Sequence, residues 1–158
     1  MSKLGFLADR GKKGVLLTSD DGVQSPLTKP FIVALGKLYS SSELIELFPA
    51  EEKSWVSQGM TRFSPLSISQ SEGLFTANGT PADCVDIAIS EHESIHTVIS
   101  GINMGSNCGE AYFYASGTVG AARHACLLGR KGVAFSVILP YDLYRIWIDR
   151  DYQGLIQH

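Results

Sequence analysis

The feature that most limits the fold is the alternation of short apolar runs and turn residues at the start of the chain. Val15 to Thr18 form an apolar run bounded by Gly14 and stopped by Asp21-Gly22, which predicts a short buried strand. From Ser25 to Leu38 the apolar positions Leu27, Phe31, Val33, Ala34, Leu35 and Leu38 recur at helical spacing. Ser25 is placed to cap that helix, Pro26 suits its first turn, and Pro30 is tolerable only there. Leu44 to Phe48 then predict a second strand, ended by Pro49. A strand, a helix and a strand in close succession are the opening of a parallel sheet with helices on its faces, so the fold class is α/β.

The remainder continues this pattern. Residues 51–80 are rich in Ser, Gly and polar side chains, which predicts irregular structure, with a hairpin from β-like pieces around Leu66 to Ile68 and Leu74 to Ala77. Pro81 to Ser90 read as a helix, with Thr80 as its cap and Asp83 in its positive first turn. Thr97 to Ser100 predict the next strand, Gly101 to Gly109 a glycine-rich loop, and Thr118 to Leu128 a helix closed by Gly129. Val133 to Leu139 predict a further buried strand. At 158 residues one domain is expected, spanning 14–140. A polar extension precedes it at 1–13, and a tail at 141–158 holds the apolar Tyr144, Ile146, Trp147 and Ile148.

Charge and cysteine content narrow the partners. A net charge of −3 offers no basic surface for a phosphate backbone, so no nucleic-acid partner is expected, and any phosphate site must be local. Cys84, Cys108 and Cys126 are an odd, widely spaced set without a CxxC, which fits a reducing cytoplasm better than a disulfide framework or a zinc knuckle. The longest apolar run, VAFSVIL at 133–139, is too short to span a bilayer, so no membrane partner is expected.

In open parallel sheets, ligands bind outside the carboxyl ends of the strands. Asp20 and Asp21 follow the first strand, Ser54 follows the second and Asn103 follows the strand ending at Ser100, so all three loops should open on one edge. Their carboxylate, hydroxyl and amide oxygens are the hard donors that Mg²⁺, Mn²⁺ or Ca²⁺ prefers. The alternative is that Asp-Gly merely makes a turn with both acids solvated. Ser116-Gly117-Thr118 ahead of a small-residue helix offers backbone amides, hydroxyls and the positive end of a helix dipole, which suits a phosphate or a plain Ser/Thr cap. HESIH at 92–96 matches HExxH, the zinc pattern of two histidines one turn apart. It runs straight into the β-rich HTVIS, so its histidines are expected at a helix end rather than on one helical face.

Five ordered motifs make the chain resemble the SurE family of survival proteins: TSDDG at 18–22, FPAEEKS at 48–54, GTPADC at 79–84, SGINMGSNCG at 100–109 and SGTVGAARHA at 116–125. The resemblance implies a Rossmann-like three-layer α/β fold with a mostly parallel sheet. It also implies a divalent-metal-dependent nucleotidase that hydrolyses nucleoside monophosphates or other phosphomonoesters. By position it makes Asp20, Asp21, Ser54 and Asn103 the ligands of one divalent cation, Mg²⁺ or Mn²⁺. Ser116, Gly117 and Thr118 then hold the phosphate with Asn107 close by, and either a water on the cation or Asp20 is the attacking group. The chain departs from the pattern at Ser19, where the family commonly has Asn, and by one extra residue between Gly109 and Ser116. Family members continue past the point matching His158, through a segment that completes the domain and supplies oligomer contacts, so a C-terminal truncation is expected; the resemblance leaves a homo-oligomer open as a partner state. A module that binds metal, nucleotide or a protein partner without turnover is the alternative function.

Overall fold

The computed structural model describes residues 14–71 and 74–148. The extension expected at 1–13 and residues 149–158 of the tail lie outside them. Strand β1 (Val15–Thr18) is buried at all four positions, because strands flank it on both sides and helices cover both of its faces. It pairs in parallel with β2 (Leu44–Pro49) through Val15 and Leu44, and with β5 (Thr97–Met104) through Val15 and Thr97. Strand β4 (Leu74–Ala77) adds in parallel outside β2, and the expected hairpin sets β3 (Ile68–Ser71) antiparallel on it. Strand β6 (Lys131–Val137) closes the other side, giving the order β3-β4-β2-β1-β5-β6.

Successive side chains of β1 point to opposite faces, which divides the core in two. Val15 and Leu17 pack with Leu44, Phe48 and Ile99 against helix α1 (Thr28–Leu35) through Leu35, Phe31 and Ile32. Leu16 packs with Ile45, Leu47, Phe75 and Val98 against helix α2 (Pro81–Glu91) and helix α4 (Gly117–Leu127). Those two helices contribute the small side chains Cys84, Val85, Ala88, Ala121 and Ala125. The molecule is therefore a three-layer α/β sandwich around a mostly parallel sheet, as the resemblance implies.

The thread from β1 through α1 to β2 runs outward, whereas the chain leaving β4 returns through α2 to place β5 on the opposite side of β1. Strand order thus reverses between β1 and β5, which is where a crevice opens at the carboxyl ends of the strands.

Four elements differ from the sequence reading. Helix α1 begins at Thr28 rather than Ser25: the Thr28 N–H donates to the Ser25 carbonyl at 3.1 Å, a turn that Ser25 closes instead of capping the helix. Strand β5 runs on to Met104 through the expected glycine loop, with a register irregularity between Ser100 and Asn103. A short helix, α3 (Glu110–Ala115), carries no sequence expectation. Strand β6 is expected to be buried but leaves Val133 39% and Phe135 42% exposed, because among the described residues it lies at the sheet edge with β5 as its one strand neighbour. Helix α5 (Tyr141–Ile148) forms the described part of the tail. Among the described residues, no helix is long and apolar enough to cross a membrane.

Candidate metal and phosphate site

The TSDDG turn places both carboxylates under the carboxyl edge of the sheet, at 2% and 4% exposure. Burial of two adjacent acids costs stability unless donors or a cation compensate. The donors come from distant segments. The Thr118 N–H donates to Asp20 Oδ2 at 3.0 Å, and its hydroxyl donates to Asp20 Oδ1. The Met104 N–H donates to Asp21 Oδ2 at 2.9 Å. Asp21 Oδ1 is buried with no hydrogen-bond partner. Desolvation holds the Asp20 carboxyl above its ordinary range, and desolvation followed by the charge of Asp20 pushes Asp21 up to about 7.

The same backbone ties bring the other candidate ligands in. The Lys53 N–H donates to the Asp20 carbonyl at 2.7 Å, which delivers the adjacent Ser54. Met104 lies beside Asn103, whose amide Nδ2 donates to the Gly105 carbonyl at 2.9 Å, leaving the amide oxygen as the other end of the group. Asp20, Ser54, Asn103, Asn107 and Ser116 all line one cavity of about 690 Å³, together with Glu52. Among the described residues that line it there is no Lys, Arg or His.

Of the three residues expected to hold a phosphate, Ser116 lines the cavity, while Gly117 and Thr118 contact Asp20. Ser116 caps α4 by accepting from the Val119 N–H at 3.1 Å and faces the cavity. Gly117 and Thr118 lie behind it and serve Asp20. A Cβ on Gly117 would meet Asp20 Cβ at 2.8 Å and the Lys53 carbonyl oxygen at 2.9 Å, so only glycine lets the helix end approach the acid this closely. The positive end of α4 is thereby directed at the Asp20 carboxylate. Asn107 sits at the cavity wall with its Nδ2 donating to Ser136 Oγ at 2.8 Å.

The sequence reading missed Glu52, Trp55 and Tyr112, which also line the cavity. Their adjacency to Ser54 and to the glycine loop was the available signal, but exposure and ring placement are not visible in a sequence. The HESIH segment is elsewhere: His92 caps the C-terminus of α2, and His96 precedes β5, at the opposite end of that strand from Asn103. That is a separation of about 20 Å at the rise of a strand. Among the described residues no three His, Cys, Asp or Glu side chains converge on a metal position. Cation binding at the sheet edge would therefore rest on the mixed oxygen set.

Comparison with known proteins agrees with the motif pattern. A profile described as Survival protein SurE matches residues 15–149. The 5'-nucleotidase SurE of Brevibacillus brevis is 39% identical over 150 residues, covering 89% of this chain and 53% of that protein. The 5'-nucleotidase SurE of Geotalea uraniireducens is 37% identical over 131 residues, covering 81% and 51%. The crystal structure of the SurE protein from Aquifex aeolicus superposes with a TM-score of 0.71 at 31% identity, covering 90% of this chain and 60% of that one. The chain thus spans about half the length of these two curated relatives. With the motifs, the sheet order and the profile match in agreement, the chain belongs to the SurE family.

Proposed function

We propose that the chain carries the catalytic centre of a divalent-metal-dependent phosphatase that hydrolyses 5′- or 3′-nucleoside monophosphates to nucleoside and phosphate. The observation that carries this reading is Asp21 Oδ1, a buried carboxylate oxygen with no hydrogen-bond partner beside a second buried acid. Such an atom is costly unless a proton or a cation meets it, and a cation can take the place that the proton leaves. Asp20, Asp21, Ser54 and Asn103 supply hard oxygens suited to Mg²⁺ or Mn²⁺. A bound cation would supply Lewis acidity that neutralises charge on a phosphoryl oxygen.

The chain's own groups do the rest. Thr118 locks the Asp20 carboxylate with two donors, and the Lys53 amide fixes its backbone. Ser116 and Asn107 line the cavity, and their polar groups would contact the phosphate. Since no cationic side chain among the described residues lines the cavity, a dianionic phosphate beside Asp20 and Glu52 needs a cation to enter. The relatives' name, 5'-nucleotidase SurE, supports a nucleotide as the phosphomonoester, and the cavity has the size of a small-molecule site.

The test is phosphate release from a panel of nucleoside monophosphates with Mg²⁺ or Mn²⁺. Release should stop on chelation and fall by about 100-fold or more in Asp20→Asn. Full turnover in chelator, or in that variant, refutes the site.

A further inference from the structure

The cavity is polar beside Asp20, Ser54 and Ser116 and aromatic at Trp55 and Tyr112. Trp55 is 69% exposed and Tyr112 54% exposed, both line the cavity, and their ring centroids lie 5.8 Å apart at 57°. Large exposed aromatics that wall a concave site next to polar groups are where planar ligands stack.

The backbone holds this platform in place at a cost. Trp55 has φ 62° and Ser57 has φ 56°, the left-handed region that bulky side chains rarely adopt. Ser57 clamps the loop: its N–H donates to the Ala115 carbonyl at 2.8 Å and its hydroxyl to the Tyr114 carbonyl at 2.6 Å. Gly120 leaves room for the Ser57 carbonyl, against which any Cβ would collide. The backbone of Trp55 is therefore held one residue from Ser54, and its indole lies against Tyr112 beside the candidate cation ligands.

The geometry points to Trp55, with Tyr112 supporting it, as a stacking subsite for the nucleobase of the substrate, an inference that rests on the nucleotide reading above. One face of a base would lie on the indole while the phosphate sits by Ser116. The site would then select nucleotides over sugar phosphates by ring contact rather than by base-edge hydrogen bonds.

The test compares kcat/KM for adenosine 5′-monophosphate and ribose 5-phosphate with Mg²⁺ or Mn²⁺ on the wild-type chain, Trp55→Gly and Trp55→Phe. Glycine accepts the left-handed backbone, so Trp55→Gly should keep the wild-type Tm. The nucleotide should be favoured by about 10-fold or more in the wild type. Trp55→Phe should keep most of that ratio, and Trp55→Gly should bring it near one. A ratio that survives Trp55→Gly, or a ratio near one in the wild type, overturns the subsite while leaving the phosphatase reading intact. If neither compound releases phosphate, the phosphatase reading fails and tryptophan emission decides. Quenching by adenosine 5′-monophosphate but not ribose 5-phosphate, lost in Trp55→Gly, supports the subsite; equal or absent quenching overturns it.

Discussion

Asp21 is buried, held on one side by the Met104 amide and left without a donor on the other, and desolvation followed by the charge of Asp20 disfavours its ionised form. The folded pKa of about 7 stands above the ordinary 3.8. In that window the folded state keeps a proton that the unfolded chain releases, so this residue's contribution to stability falls as pH rises from about 4 to about 7 and is constant above. Asp21→Asn removes the charge but keeps an oxygen for Met104. Its Tm in chelator should therefore exceed that of the wild type, by a margin that grows from pH 4 to pH 7. The variant should also lose stabilisation by added Mn²⁺. A margin that is flat with pH contradicts the assignment. Paired acids at a strand end were legible as a candidate site because strand ends and hard oxygens can be read directly. The turning of Thr118 toward Asp20 was not, since it depends on Gly117 permitting a contact 98 residues away.

Helix α2 shows how far local rules reach. Thr80 accepts from the Asp83 N–H at 3.2 Å, and Asp83 Oδ2 accepts from the Thr80 N–H at 2.8 Å, a reciprocal cap. The Thr80 hydroxyl also reaches the Gly59 carbonyl at 2.7 Å. Thr80→Ala should cost about 1 to 2 kcal/mol in urea unfolding, whereas Thr80→Ser should cost under about 0.5 kcal/mol. Equal losses would mean that the methyl group, and not the cap, matters. This helix was readable from Thr-Pro-Ala-Asp because a cap is a contact between neighbours in sequence. The end of β5 was not, because its extension to Met104 is made by pairing with Ser136 and Val137 on β6. The Gly101 punctuation that predicts a loop is overridden by that pairing.

Across the whole molecule, burial falls from the central strand to the β6 edge. Leu17 is fully buried, with packing from α1, while Val133 is 39% exposed. Leu17→Ala should cost about 2 to 5 kcal/mol and Val133→Thr under about 1 kcal/mol, read as shifts in urea midpoint at constant slope. Comparable losses would show that β6 is covered more fully than its exposure indicates. The layered class and parallel order were legible from the strand-helix-strand rhythm, but an apolar run such as VAFSV does not reveal whether it lies at the centre or the edge of a sheet.

The contacts that hold the two acids also fix when the centre can come into being. Met104 and Thr118 stand 83 and 98 residues along the chain from the carboxylates they serve. Contacts of such long range form slowly, after the intervening loops have closed. On a chain emerging from its N-terminus, Asp20 and Asp21 stay hydrated while β1 is made and until the β5 and α4 segments follow. Desolvation of the pair and arrival of its donors then coincide, so the growing chain does not bury the two acids before their donors are present.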